Sequence, residues 1–213
     1  MVFSLLLQSP IIFFVFILSV FFALSVHEYG HALSAHLLGD PTAKHLGRLT
    51  LNPLAHIDPL GFLMFLLVGF GWGKPVPFNP FNLKDQKKDS AIIALSGPLA
   101  NLVSVIIFGL ILKFVGSAVG QTNLLVYFLS WLVLVNASLM VFNLIPIPPL
   151  DGSKVLYAFI PAGREDIIYK LERNGPIILI LFIILDRFLP FSILGYLFTA
   201  IFNVISNIFG VVM

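Results

Sequence analysis

His27, Glu28 and His31 stand in the run Ala23-Leu24-Ser25-Val26-His27-Glu28-Tyr29-Gly30-His31. Residues i and i+4 of a helix share one face, so both imidazoles can reach a single metal ion. Glu28, beside them, is placed to act as general base toward a metal-bound water, which is the chemistry of the H-E-x-x-H pattern. Zinc lowers the pKa of such a water from about 15.7 toward about 7, and the resulting hydroxide attacks a carbonyl at neutral pH. The setting sharpens the reading. An apolar run begins at Ile11, Glu28 is the first acidic residue of the chain, and no Lys or Arg precedes Lys44. A charge at helix-centre depth costs about 2.5–3.5 kcal/mol on insertion scales, so an ionisable cluster there needs a functional reason.

Two histidines leave a catalytic zinc one protein ligand short, because such sites keep three ligands and an open position. Asp40, His45, His56, Asp58 and Asp151 are the candidates. His36 lies nine residues from His27, about 180° round the helix, and points elsewhere as an interfacial residue. Asp151 fits best. It ends the stretch Asn143-Leu144-Ile145-Pro146-Ile147-Pro148-Pro149-Leu150-Asp151-Gly152, where a spanning helix gives way to a proline-stiffened loop. On local sequence alone Asp151 is equally a helix cap; the need for a third ligand favours ligation. Asn52-Pro53-Leu54-Ala55-His56 offers a histidine for an oxyanion or a metal ligand, or a plain interfacial turn. Gly97-Pro98-Leu99-Ala100-Asn101 sets an Asn amide inside an apolar helix, to bind substrate or oxyanion or to bind a neighbouring helix.

The elements that must position these residues follow from composition and hydropathy. The chain has 213 residues, 59% hydrophobic and 10% charged, with mean hydropathy +1.03. Soluble domains carry about 25% charged residues, so an integral membrane protein is expected, as one domain over 1–213. A net charge of +2 gives no case for nucleic-acid binding. Cysteine is absent, which excludes disulfides and Cys-based zinc sites. The N-terminus lacks a basic n-region, so no cleavable signal peptide is expected. The predicted fold is an all-α polytopic bundle of about five transmembrane helices, with a re-entrant segment and short membrane-associated strands.

Spanning helices are predicted over Pro10–Leu38, Ser90–Val115 with an interruption at Gly97-Pro98, and Leu124–Leu144. Leu60–Phe70 is too short to cross and reads as re-entrant. Gly47–Leu51 alternates weakly, as a short strand would. Asp151–Asn174 reads as an interfacial amphipathic helix. Pro176–Leu185 and Phe191–Val212 close the chain, split by Asp186-Arg187 and Pro190. The catalytic core then covers about 10–160 and the C-terminal helices 164–213. Lys44, Arg48, the lysines at 74, 84, 87 and 88, Lys154, Arg164, Lys170 and Arg173 fall on one side of this layout. The positive-inside rule puts that side, with the H-E-x-x-H cluster, toward the cytoplasm.

Four motifs in one order, H-E-Y-G-H (27–31), N-P-L-A-H (52–56), G-P-L-A-N (97–101) and N-L-I-P-I-P-P-L-D-G (143–152), resemble the site-2 protease family of intramembrane zinc metalloproteases. Gly71-Trp72-Gly73-Lys74-Pro75-Val76-Pro77 is similar to a loop of its prokaryotic members. The resemblance covers about residues 20 to 160. It implies one zinc per chain held by His27, His31 and Asp151, with Glu28 as catalytic base and His56 and Asn101 as catalytic supports near the scissile carbonyl. It also implies a transmembrane protein or peptide substrate within the bilayer of a prokaryotic plasma membrane. No region is long or polar enough for a PDZ domain, and no nucleotide-sensing domain follows the core, so a minimal member is expected. Two other classes use similar residues. A zinc transporter needs ligands along a whole transmembrane path, and here the histidines cluster at one end. A silent binding protein has no use for an intact Glu28.

Overall fold

The computed structural model describes residues 2–120 and 122–211. Gln121, between the expected spans Ser90–Val115 and Leu124–Leu144, and Val212, the expected end of the last segment, lie outside the described residues. The chain is mostly helical. Helices α1 (Val2–Gln8), α2 (Pro10–Leu37), α3 (Thr42–His45) and α4 (Pro59–Val68) precede α5 (Gln86–Val119) and α6 (Leu124–Asn143). Helices α7 (Asp151–Ala158), α8 (Glu165–Asp186) and α9 (Ile193–Phe209) follow. Of these, α2, α5 and α6 are long and apolar enough to cross a membrane.

Local chemistry sets their ends. Pro10 opens α2 at a position where its missing N–H costs nothing. Ser19 and Ser25 turn their hydroxyls back onto the carbonyls of Val15 and Phe21, so neither is orphaned in the apolar run. Asp85 accepts from the Lys87 and Lys88 amides and starts α5 four residues earlier than the hydropathy suggests. Asn123 caps α6 through the Leu125 amide. Each such cap is worth about 1 kcal/mol.

The three long helices each pack against the other two around the site. His31 meets Ile93, His27 meets Asn101 and Phe22 meets Phe108, so α2 and α5 run antiparallel. Asn101 meets Asn136, and only residues 120–123 connect α5 to α6, so these packed helices are antiparallel too. The ends of α2 and α6 and the start of α5 therefore lie together. Away from that end, Leu112, Val126, Leu129 and Val133 form the main core with Ile205 and Phe209 of α9. Helix α8 is tied on by Lys87–Glu165, by Lys154–Glu172 and by Gly175 against Pro148.

Three expectations are corrected. Helix α5 is continuous through Gly97-Pro98. Pro98 cannot donate to the Ala94 carbonyl one turn back, yet the helix continues past it; one residue earlier, the Ile93 carbonyl lies against His31 and accepts from the Ser96 hydroxyl. Helix α8 likewise runs unbroken through Pro176, joining what hydropathy separates into an interfacial helix and a short span; the interfacial piece shrinks to α7. Gly47–Leu51 is a turn, not a strand. Its backbone groups serve local partners: the Arg48 amide donates to Ala43, and the Thr50 carbonyl accepts from His56. Among the described residues the one β-bridge pairs Ile57 with Gly73.

That bridge closes a hairpin. Asp58 caps α4 through the Gly61 amide, and the chain turns at Gly69 and returns alongside the helix it has just made. The return is possible because Gly61 has no side chain: a Cβ there would strike the Trp72 backbone.

Candidate metal centre

The end where α2, α5 and α6 converge holds the chemistry. His27 and His31 lie one turn apart on α2, with their Nε2 atoms 3.0 Å from each other. Asp151, the first residue of α7, is delivered by the proline-rich stretch after α6. Its Oδ2 lies 3.1 Å from His27 Nε2 and 3.3 Å from His31 Nε2. All three residues are buried or nearly so. A Cβ on Gly97 of α5 would collide with the ring of His31 and come within 2.8 Å of His27 Cε1. The bare backbone of α5 is thus the floor under both rings.

Hydrogen bonds behind the rings set their tautomers. His27 Nδ1 lies 2.7 Å from Asn101 Oδ1, and His31 Nδ1 lies 2.7 Å from the Ile93 carbonyl. Asn101 must present oxygen there, because its nitrogen donates to the Ala23 carbonyl and to Asn136 Oδ1. Both partners are acceptors, so each Nδ1 carries a proton and each neutral imidazole turns an Nε2 lone pair inward. Burial raises the Asp151 carboxyl, but the contacts its oxygen makes with His27 and His31 outweigh burial and hold it down at about 2. The third donor is a carboxylate at neutral pH.

This donor set fits a metal. Two imidazole lone pairs and one carboxylate oxygen converge within 4.8 Å, and Asp151 Oδ2 is buried with no hydrogen bond of its own. Three acceptors so placed repel one another unless a cation lies among them. Bonds of about 2.0–2.1 Å in a tetrahedral zinc site space the ligands by about 3.3 Å, near the edges observed.

Glu28 lines the same cavity, a mainly apolar space of about 1260 Å³ walled by α2, α4, α6 and the residues around Gly71–Val76. One carboxylate oxygen, Oε2, accepts the Val76 amide at 2.9 Å. The other oxygen has no hydrogen-bond partner among the described residues.

The remaining candidates stand elsewhere. Asp40 is fully buried beyond the end of α2 and accepts from Thr42, Asn79 and Asn82. Burial raises its carboxyl, but these hydrogen bonds outweigh it and hold it below the ordinary range. Asp58 caps α4, His45 is exposed, and His36 is half-exposed beside Lys44. His56 and Asn101, expected beside a scissile carbonyl, do not line the cavity. His56 is fully buried, with Nε2 on the Thr50 carbonyl and Nδ1 toward Arg48. Asn101 is equally buried, and both its amide atoms are engaged behind His27.

Two residues here are not singled out by sequence. Asn136 is fully buried and locks Asn101, donating its own amide to the Leu132 carbonyl. A lone Asn in the middle of α6 is the only sequence signal for it. Val76 acts through its backbone, which carries no sequence signal beyond the flanking Pro75 and Pro77.

Fold and site together define a protein with three helices long and apolar enough to cross a membrane and a candidate two-histidine, one-carboxylate metal site. The family model "Peptidase family M50", that of the site-2 proteases, matches residues 15–185, and the chain belongs to this family. YwhC of Bacillus subtilis, whose name describes a zinc metalloprotease, is 36% identical over 175 residues, 78% of this chain and 79% of that one. Rip2 of Mycolicibacterium smegmatis, similarly named, is 32% identical over 169 residues, 76% of this chain and 63% of its own length. Protease RseP of Photorhabdus luminescens is 36% identical over 85 residues, 36% of each chain. No solved structure gives a significant match. The chain is a zinc metalloprotease with membrane-spanning helices.

Proposed function

We propose that this protease hydrolyses peptide bonds in or near the transmembrane segments of membrane-protein substrates, using one zinc per chain held by His27, His31 and Asp151. The observation that carries the reading is the shared cavity: Glu28 and the three donors open onto one large apolar space between helices long enough to span a bilayer. An apolar cavity of this kind suits an apolar substrate segment.

His27, His31 and Asp151 would hold the zinc, which would supply Lewis-acid polarisation of a substrate carbonyl and acidify an attacking water. Glu28 takes the proton of that water on its unbonded oxygen and returns it to the leaving amine. Val76 holds the other oxygen, which aims the carboxylate. Asn101 fixes the tautomer and orientation of His27, and Ile93 does the same for His31. Both residues act through the rings rather than on substrate.

Helices α8 and α9 complete the membrane domain beside the three long helices, and α4 enters and leaves from one face. Support for that re-entrant path is the return of the chain from Gly69 to the Ile57–Gly73 bridge. At about 15 Å, α4 is half the length needed to cross. The basic residues at 44, 48, 74, 84, 87 and 88 flank the centre, and by the positive-inside rule they support a site facing the cytoplasm of a prokaryotic cell membrane.

Glu28→Gln tests the reading. The variant keeps zinc and loses cleavage of a model transmembrane peptide in detergent. Cleavage at the wild-type rate removes Glu28 from the role.

A further inference from the structure

Arg48 is only 6% exposed, yet it has no ion-pair partner among the described residues. Its Nε is buried without a hydrogen bond. A buried guanidinium without a carboxylate is costly, so stability alone gives no reason for it. Its Nη2 makes two contacts, and both lead to one place. It donates to the Lys74 carbonyl, and it lies 3.5 Å from His56 Nδ1. The His56 ring is turned to receive it, because Nε2 already faces the Thr50 carbonyl at 2.8 Å and so carries the ring proton. The His56 backbone holds the other end of the same residue: the Lys74 amide donates to the His56 carbonyl at 2.8 Å. Lys74 is thus gripped at both its N–H and its C=O.

Two residues on, in extended chain between Pro75 and Pro77, the Val76 amide meets Glu28 Oε2. The segment has little room to slip. Gly73 lies against Leu24 of α2 and the His56 carbonyl, where a Cβ would sit 2.9 Å and 3.1 Å from them.

We propose that Arg48 and His56 form a clamp on Lys74 that sets the position of the Val76 amide and, through it, the aim of the Glu28 carboxylate. Arg48 is a positioning residue for the proteolytic reaction, and this role rests on Glu28 being the base. The clamp also accounts for the His56 side chain, which lies outside the cavity. Its ring is the relay between Arg48 and the Thr50 turn.

The test uses the full-length, zinc-loaded protein in detergent, with a synthetic peptide of one transmembrane segment as substrate. Arg48→Ala lowers kcat about 100-fold, the order expected when a catalytic group moves by about 1 Å. KM and zinc content stay at wild-type values. Arg48→Lys still reaches one carbonyl and recovers most of the loss. Val76→Pro deletes the amide between two residues that already favour extended backbone, and kcat falls to a similar level. The double variant falls no further than either single one, because both act through one hydrogen bond. Independently of cleavage, Arg48→Ala speeds hydrogen exchange at the Lys74 and Val76 amides.

Additive losses in the double variant overturn the proposal. So does a wild-type kcat in Val76→Pro, or an Arg48→Ala loss in which KM rises and zinc falls together with kcat. If Arg48→Ala does not fold, Arg48→Lys and Val76→Pro decide by the same criteria. Glu28→Gln in the same assay separates the levels. If it is active, the assignment of the base and the clamp both fall; if it is dead while Val76→Pro is wild-type, the clamp alone falls.

Discussion

Asn101 Oδ1 lies 2.7 Å from Nδ1 of His27, across the contact between α2 and α5, and the same amide donates to Asn136 on α6. One side chain therefore ties the three long helices together beside the proposed metal centre and selects the ring nitrogen that faces it. Interhelical hydrogen bonds within membranes average about 0.6 kcal/mol, so the main consequence lies in ligand orientation rather than in stability.

Asn101→Ala is expected to weaken zinc binding about 10- to 100-fold, the usual cost of losing a partner behind a metal ligand. Competition with a chelator measures it. Asn101→Asp, which keeps the acceptor oxygen, binds closer to wild type. Unchanged affinity in Asn101→Ala removes the orienting role.

Gly97 tests the floor of the centre. Gly97→Ala places a methyl group against both imidazole rings. Zinc per chain falls sharply, while helix content by circular dichroism is retained, because alanine is the better helix former. Full zinc occupancy in this variant contradicts the packing described.

The structure explains why this site is legible in sequence only in part. His27 and His31 are readable because a period of 3.6 residues puts them on one face whatever surrounds them. For Asp151 local sequence leaves cap and ligand equal, and only the need for a third donor points to the ligand; the structure brings its carboxylate to both imidazoles. The bounds of α2 and α6 fall within one residue of the hydropathy reading, since apolar runs in lipid leave few alternatives. For His56 and Asn101 residue type gives no side-chain direction: the Asn101 amide meets α2 and α6, while the His56 ring meets Thr50 and Arg48 just upstream. Val76 is invisible because its contribution is an amide. Pro176 suggests a break that tertiary support overrides.

Asp40 carries a pH dependence outside the spanning helices. Its carboxyl is lower in the folded protein than in the unfolded chain, so its charge stabilises the fold above the unfolded value of about 3.9. That contribution disappears as pH falls through the folded value. Thermal unfolding of wild type and Asp40→Asn in detergent differs most near neutral pH, and the gap narrows below about pH 4. A gap that stays constant with pH contradicts the assignment.

The most direct measurement is zinc per chain for wild type and Asp151→Ala, by elemental analysis of purified, monodisperse protein. The account predicts one zinc in the wild type and little or none in the variant, because two imidazoles alone leave the ion without its third protein ligand. Equal, stoichiometric zinc in both proteins would contradict it.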